Sequence, residues 1–146
     1  MVIFYKKSMK GQAYINEQDI SKWGASFAKG AYEALLKPAP TKENVRNESR
    51  IEDGVREDTS NIRLSERTIS LPFWIVGTSE DDYLAKYEDF LDEIASGVIV
   101  LKVPALKKVY KLIYSDCSSY GHYNRTKGKI ILKLKEPNPR DREFLW

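Results

Sequence analysis

One cysteine and one histidine are all that this chain of 146 residues offers of the side chains favoured for metal sites and thiol chemistry. Cys117 alone excludes an intramolecular disulfide and any zinc site built from several cysteines. His122 alone leaves little for metal ligation or general-base catalysis. No apolar run approaches the roughly 18 residues that a membrane-spanning helix needs. There is no Gly-rich phosphate loop, no HExxH, GxSxG or EF-hand pattern, and no repeat at solenoid periods. The opening Met1-Val-Ile-Phe-Tyr-Lys-Lys7 sets its apolar patch before its lysines, the reverse of a secretion signal. These shortages describe a soluble intracellular domain, expected to need no metal or cofactor, and they argue against an enzyme. The nearest approach to a catalytic constellation is Asp116-Cys117 with His122 five residues on, and no third group orients that base. A lone cysteine near a strand is more simply a small buried hydrophobe.

What the chain does have is charge, unevenly spread. Residues 98–146 carry eleven Lys and Arg against four Asp and Glu, a net +7. Residues 1–97 carry thirteen against seventeen, a net −4, and together they make the overall +3. Much of the acid lies in residues 80–93, where seven carboxylates stand against Lys86 alone. Such a split can steer copies of one chain together head to tail, or simply solvate two exposed surfaces. With 42% hydrophobic residues, the chain has enough apolar material for a single domain, residues 1–146, of radius about 15 Å.

The pattern along the chain is mainly that of strands. Residues 13–15 and 20–27 read as two short strands about the turn-rich Asn16-Glu-Gln-Asp19, and residues 30–37 as a turn or two of helix. Residues 67–76 alternate, with Ile69, Leu71, Phe73 and Ile75 on one face and Trp74 on the other. Pro72 cannot donate a ladder hydrogen bond, so an edge or bulged strand is expected there, and an outward Trp74 would call for cover. Residues 80–96 predict a helix with Ser79 as cap, Asp82 three residues on, and Gly97 as its stop. Its apolar stripe reads as Leu84, Tyr87, Leu91 and Ile94, with Tyr83 and Phe90 beside it. Strands are predicted at 98–103, 109–115 and 129–135, with residues 120–128 as a turn-rich connection and 137–146 as a C-terminal tail.

Residues 38–61 follow neither period. Ten of these 24 positions are charged, and Val45, Ile51 and Val55 are the only large apolar residues among them. A segment of this length is either a surface loop or an extended arm that orders on a neighbouring molecule. In the second case Asp53-Gly54 would supply the hairpin turn. The basic portion admits another reading. Lys107, Lys108, Lys111, Arg125 and Lys127, interleaved with Tyr110, Tyr114, Tyr120 and Tyr123, could grip a single-stranded nucleic acid. Alternating lysines on a half-buried strand are the plainer account, and pI 8.8 is modest for such a binder.

In order, Tyr14-Ile-Asn16, the long charged stretch, Glu52-Asp-Gly54, Ile69-Ser-Leu-Pro-Phe73 and the acidic helix with Tyr83, Tyr87 and Phe90 form a series. It continues through Gly97, Leu101-Lys-Val-Pro104, Tyr110-Lys-Leu-Ile-Tyr114 and the closing strand at 129–134. Over residues 12–136 this resembles the N-terminal ring-forming domain of distal tail proteins of long-tailed, non-contractile phages and prophages. The resemblance implies a β-sandwich or barrel-like domain, α+β but mainly β, with one amphipathic helix on the sheet and a long extended arm. It implies a virion structural protein, made in the bacterial cytoplasm and ending in the tail. There it would form a homo-oligomeric ring, commonly a hexamer, between the tail tube or tape-measure protein and the tip or baseplate. Larger members append a receptor-facing domain, so host recognition does not carry over to these residues. The family has no catalytic residues to transfer. For subunit contact, Arg50, Ile51, Glu52, Asp53, Gly54, Val55 and Arg56 of the arm are expected, with Trp74 as a second candidate.

Overall fold

The computed structural model describes residues 10–41 and 64–145, together with the backbone of 45–48 and 55–58. In chain order the elements are β1 (Tyr14–Ile15), β2 (Gln18–Asp19), a 3-10 turn (Ile20–Trp23), β3 (Ala25–Phe27) and α1 (Ala31–Leu36). Next come β4 (Val45–Glu48), β5 (Val55–Asp58), β6 (Arg67–Val76) and α2 (Glu80–Ile94). The chain closes with β7 (Val98–Val103), a 3-10 turn (Pro104–Leu106), β8 (Lys108–Asn124), β9 (Lys127–Glu136) and β10 (Glu143–Phe144). The fold is mainly β, as the sequence leads one to expect. The strands join in one antiparallel sheet of order β2-β1-β7-β8-β9-β6-β3, with β10 added beside β8 and β4–β5 forming a sheet of their own.

Residues from both ends of that sheet meet in one core. Ile15 and Leu101 from one end share a buried cluster with Phe27, Phe73 and Leu132 from the other, so the sheet curls around its contents. The alternation predicted for residues 67–76 holds, and Ile69, Leu71, Phe73 and Ile75 are all buried. The edge position is corrected. β6 lies between β9 and β3, and β3 is the outer strand. Pro72 is tolerated because its carbonyl faces the β3 side, where it accepts from Ala28 N at 3.0 Å just beyond the end of β3. Its missing N–H points the same way and leaves the β9 ladder whole.

Helix α2 starts where its cap predicts. Ser79 Oγ accepts from Asp82 N at 3.1 Å, and Asp82 Oδ2 reaches back to Thr78 N at 2.8 Å. Its acidic first turn suits the positive end of the helix dipole. Phe90 packs edge-on against Phe73 and Trp23, at 5.2 and 5.8 Å between ring centres. Burying a side chain of this size is worth about 2–3 kcal/mol. The buried stripe is Tyr83, Phe90 and Ile94, with Tyr87 and Leu91 partly covered, while Leu84 faces outward. Glu93 sits at the wrong end of the dipole for a carboxylate but has other work. It accepts from Asn16 Nδ2 at 2.6 Å and Gln18 Nε2 at 3.3 Å, tying the helix end to the β1–β2 turn. That turn has positive φ at both central residues, Asn16 (50°) and Glu17 (70°), as the tightest hairpins require.

Strand β8 departs most from its sequence reading. It runs 17 residues, into residues 120–124 of the predicted connection, and pairs with β9 as far as Asn124. Register shifts between Tyr114 and Asp116, Cys117 and Ser119, and His122 and Asn124 leave single residues unpaired. Each bulge resets the in-out alternation, so no period-2 signal survives in the sequence. At the N-terminal end, two short strands become three, with a 3-10 turn between the second and third.

Candidate subunit interface

The arm begins at a closed base. Thr41 bridges Leu64, and Ser65 N donates to Pro40 O at 2.7 Å, so the chain leaves and re-enters the body at one place. Beyond it, β4 and β5 pair with each other, from Val45 opposite Asp58 to Glu48 opposite Val55. Among the described residues they join no strand of the main sheet. Val55 and Arg56 therefore open the returning strand of a hairpin. Arg50, Ile51, Glu52, Asp53 and Gly54 lie outside the described residues, and with them the proposed turn at Asp53-Gly54.

Beneath this base is a buried ionic anchor. Arg67, 3% exposed, donates through Nη1 to Leu35 O at 2.7 Å and Lys37 O at 2.6 Å, the carbonyls that end α1 and lead into the arm. Its Nε lies 2.9 Å from Glu136 Oε1, close enough to attract but out of line for a hydrogen bond. Glu136 is fully buried, and Arg142 grips both of its oxygens at 2.7 Å. Both guanidinium groups also lie near the Tyr110 ring, their carbons 5.6 and 5.2 Å from its centre. Burial lowers the Arg67 pKa, against the pull of Glu136. The hydrogen bonds that Arg142 donates to Glu136 raise its own pKa. Burying charge is costly; here one carboxylate is shared by two guanidinium groups and the helix-end carbonyls take Arg67 Nη1, while Arg67 Nε and Nη2 are buried without a hydrogen-bond partner. The anchor thus joins four pieces: the end of α1, the start of β6, the end of β9 and the tail.

None of the three was among the sequence-predicted site residues, yet a signal was there. Position 67 is in phase with Ile69 and Leu71, and position 136 with Leu132 and Leu134. A charge at an inward position of an alternating strand has to find a partner. The tail, too, is folded: β10 pairs with β8, and Leu145 N donates to Lys107 O at 2.9 Å.

Trp74 stands on the outward side of β6, half-buried by its own chain. Lys127 Nζ lies 4.5 Å from its ring centre, Lys129 Nζ 5.7 Å, and Tyr123 meets it edge-on at 5.9 Å. The residues considered for nucleic acid do not form one patch. Lys107 and Lys108 begin β8 while Arg125 and Lys127 follow its far end, and a strand of that length spans about 50 Å. Tyr110 is in the core, and Tyr120 is engaged with Tyr83, hydroxyl to hydroxyl at 2.7 Å. Burial raises the pKa of Tyr83 strongly, and that hydrogen bond adds to it. Cys117 and His122 are not brought together as a pair. The thiol donates to Ser119 O at 3.3 Å, and the imidazole contacts Tyr120 and the Tyr83 ring. Among the described residues, no three His, Cys, Asp or Glu side chains gather as a metal site, and no helix is long and apolar enough to cross a membrane.

No protein-family model and no curated protein sequence matches the chain. Its fold does match a solved structure. This is the Dit protein (gp 19.1) of SPP1, described as a paradigm of the hub adsorption apparatus in phages infecting Gram-positive hosts. The TM-score is 0.60 at 13% sequence identity, over 88% of this chain and 50% of the other. The chain therefore spans about half the length of that protein, and at this identity the likeness is one of fold.

Proposed function

We propose that the chain is a structural component of a phage or prophage tail, assembling into a ring at the distal end of the tail tube and joining it to the tip or baseplate. The observation that carries this reading is the arm: a hairpin rooted in a buried ionic anchor, whose strands pair only with each other among the described residues. An isolated two-stranded hairpin is marginal in water and gains most by lying on another surface. A neighbouring copy offers that surface at every position of a ring, and a heterologous contact repeated by rotation closes on itself where the angle permits. The fold shared with a hub protein of the adsorption apparatus supports the same reading. In it the work of the chain is geometric and involves no catalysis. The residues of contact are 50–56, with Trp74 in second place.

Negative-stain micrographs and light scattering of the purified chain test it. The intact protein is expected to form closed annuli. Deletion of residues 42–58 is expected to leave a folded monomer, since both ends of the deleted segment lie beyond the Thr41–Leu64 bridge. A protein that stays at monomer mass at millimolar concentration overturns the reading.

A further inference from the structure

Strand β7 is apolar on both of its faces, and among the described residues only the inner one is fully covered. Ile99, Leu101 and Val103 point into the core, while Val98 and Val100 share the outer face with Lys102. A strand that faces water on one side alternates, and one apolar on both sides belongs between two layers. Here the outer layer is incomplete. Val98 and its cross-strand neighbour Ile113 are 54% and 40% exposed. Beside them, Tyr14, Val100, Lys102 and Val109 line a hollow of about 500 Å³, bordered by Glu17 and Glu143. Neither of these carboxylates forms an ion pair among the described residues. Lys102 Nζ lies instead over the Tyr14 ring, 5.3 Å from its centre.

The chain itself holds an occupant for this face. Residues 1–9 lie outside the described residues; they run Val2-Ile-Phe-Tyr5, then Lys6 and Lys7, and contain no carboxylate. They join the body at Lys10 and Gly11. Gly11 N donates to Asp19 Oδ2 at 2.8 Å, and a Cβ on Gly11 would stand 3.8 Å from the Tyr14 hydroxyl. The segment is therefore delivered at the mouth of the hollow that Tyr14 lines. The link from Tyr5 to Gly11 can span about 20 Å, and four extended residues cover about 13 Å, the length of β7 from Val98 to Lys102. An apolar run of that length suits the strip, and lysines suit a rim with two carboxylates to spare.

We propose that residues 2–5 lie along the outer face of β7 in their own chain, over Val100 and Val98, with Lys6 and Lys7 at Glu17 and Glu143. The segment completes the outer layer and ties the head of the chain to its tail, since Glu143 belongs to β10. No second copy takes part, so the proposal stands apart from the ring reading.

Cysteine cross-linking in the full chain tests it, with Cys117→Ser removing the native thiol. Val2→Cys, Ile3→Cys, Phe4→Cys and Tyr5→Cys are each combined with Val100→Cys. As a control, each is also combined with Ser70→Cys, exposed on β6 three strands from β7. A segment that is tethered but not seated reaches both partners at similar effective concentration. At least one position is expected to cross-link to position 100 about tenfold faster than any does to position 70, within one chain on a non-reducing gel. Adding Lys6→Glu with Lys7→Glu is expected to slow that pair at least about threefold at low salt. In the otherwise native chain, Ile3→Asp with Phe4→Asp is expected to lower the melting midpoint by about 4 °C or more, with circular dichroism confirming the fold. Equal rates at positions 100 and 70, a fast pair indifferent to the lysine reversal, or an unmoved melting midpoint overturns the proposal. Cross-links that form only between chains overturn it too, and assign the face to a second copy.

Discussion

Strand β6 and the β4–β5 hairpin are both antiparallel β-structure, and they are held by different things. β6 pairs with β9 along its whole length, from Arg67 opposite Glu136 to Val76 opposite Lys127, while Ile69, Leu71, Phe73 and Ile75 fill the core. Each strand of the hairpin has one neighbour among the described residues, and that neighbour is the other strand. The first is stabilised by burial, and its ladder comes with it. For the second, the described residues show a two-stranded ladder, and such a ladder by itself barely offsets the cost of ordering it. What joins them is the anchor of Arg67, Glu136 and Arg142. It fixes where the chain leaves the body after α1, at the carbonyls of Leu35 and Lys37. On the ring reading proposed above, the contrast separates the part of the molecule that holds its stability from the part that would make contact.

The largest blow to the body should come from the anchor. Glu136→Ala leaves two buried guanidinium groups without their carboxylate, and the expected loss is about 3–5 kcal/mol in urea unfolding. A loss under about 1 kcal/mol would mean the arginines are held by something else. The next effect is one of pH. Burial alone would raise the Asp19 pKa, but the N–H groups of Ser21 and Gly11 outweigh it and hold the carboxyl below 3.8. The N–H of Thr78 does the same for Asp82. With folded values below unfolded ones, this stability is present above the unfolded value and is lost as pH falls through the folded one. Thermal melts should therefore be flat from neutrality down to about pH 5 and fall below that, and Asp19→Asn should flatten the fall. The smallest effect on the body should come from the arm. Val55→Ser with Arg56→Ala should move the unfolding midpoint of the monomer by less than about 0.5 kcal/mol while abolishing ring formation. An arm substitution that unfolds the body, or one that leaves rings intact, would erase the distinction.

Much of the scaffold was legible before any coordinates. Residues 67–76 and 129–135 alternate cleanly, and the start of α2 is marked by Ser79. The misreadings have physical causes. Leu84 was placed in the buried stripe because helical spacing alone cannot say which edge of an apolar arc meets the sheet, and Tyr83 and Phe90 take that place. Pro72 suggested an edge because a missing donor is harmless there; it proved equally harmless just past the end of β3. The bulges of β8 erase the periodicity that would have revealed its length. In the candidate interface, residues 38–61 could be singled out by their lack of any period. Its anchor could not, because Arg67 and Glu136 are far apart in sequence and become partners only when β6 and β9 pair.

Local pattern by itself determined that this chain is mainly β, that an acidic helix follows its first long strand, and that residues 38–61 follow neither the strand nor the helix period. Those features depend on neighbours within a turn or a strand, where side-chain alternation and capping act directly. Only the tertiary structure decided which charges are buried together and that the tail docks on β8. These outcomes depend on contacts between residues distant along the chain, and such contacts exist only once the sheet has closed around its core.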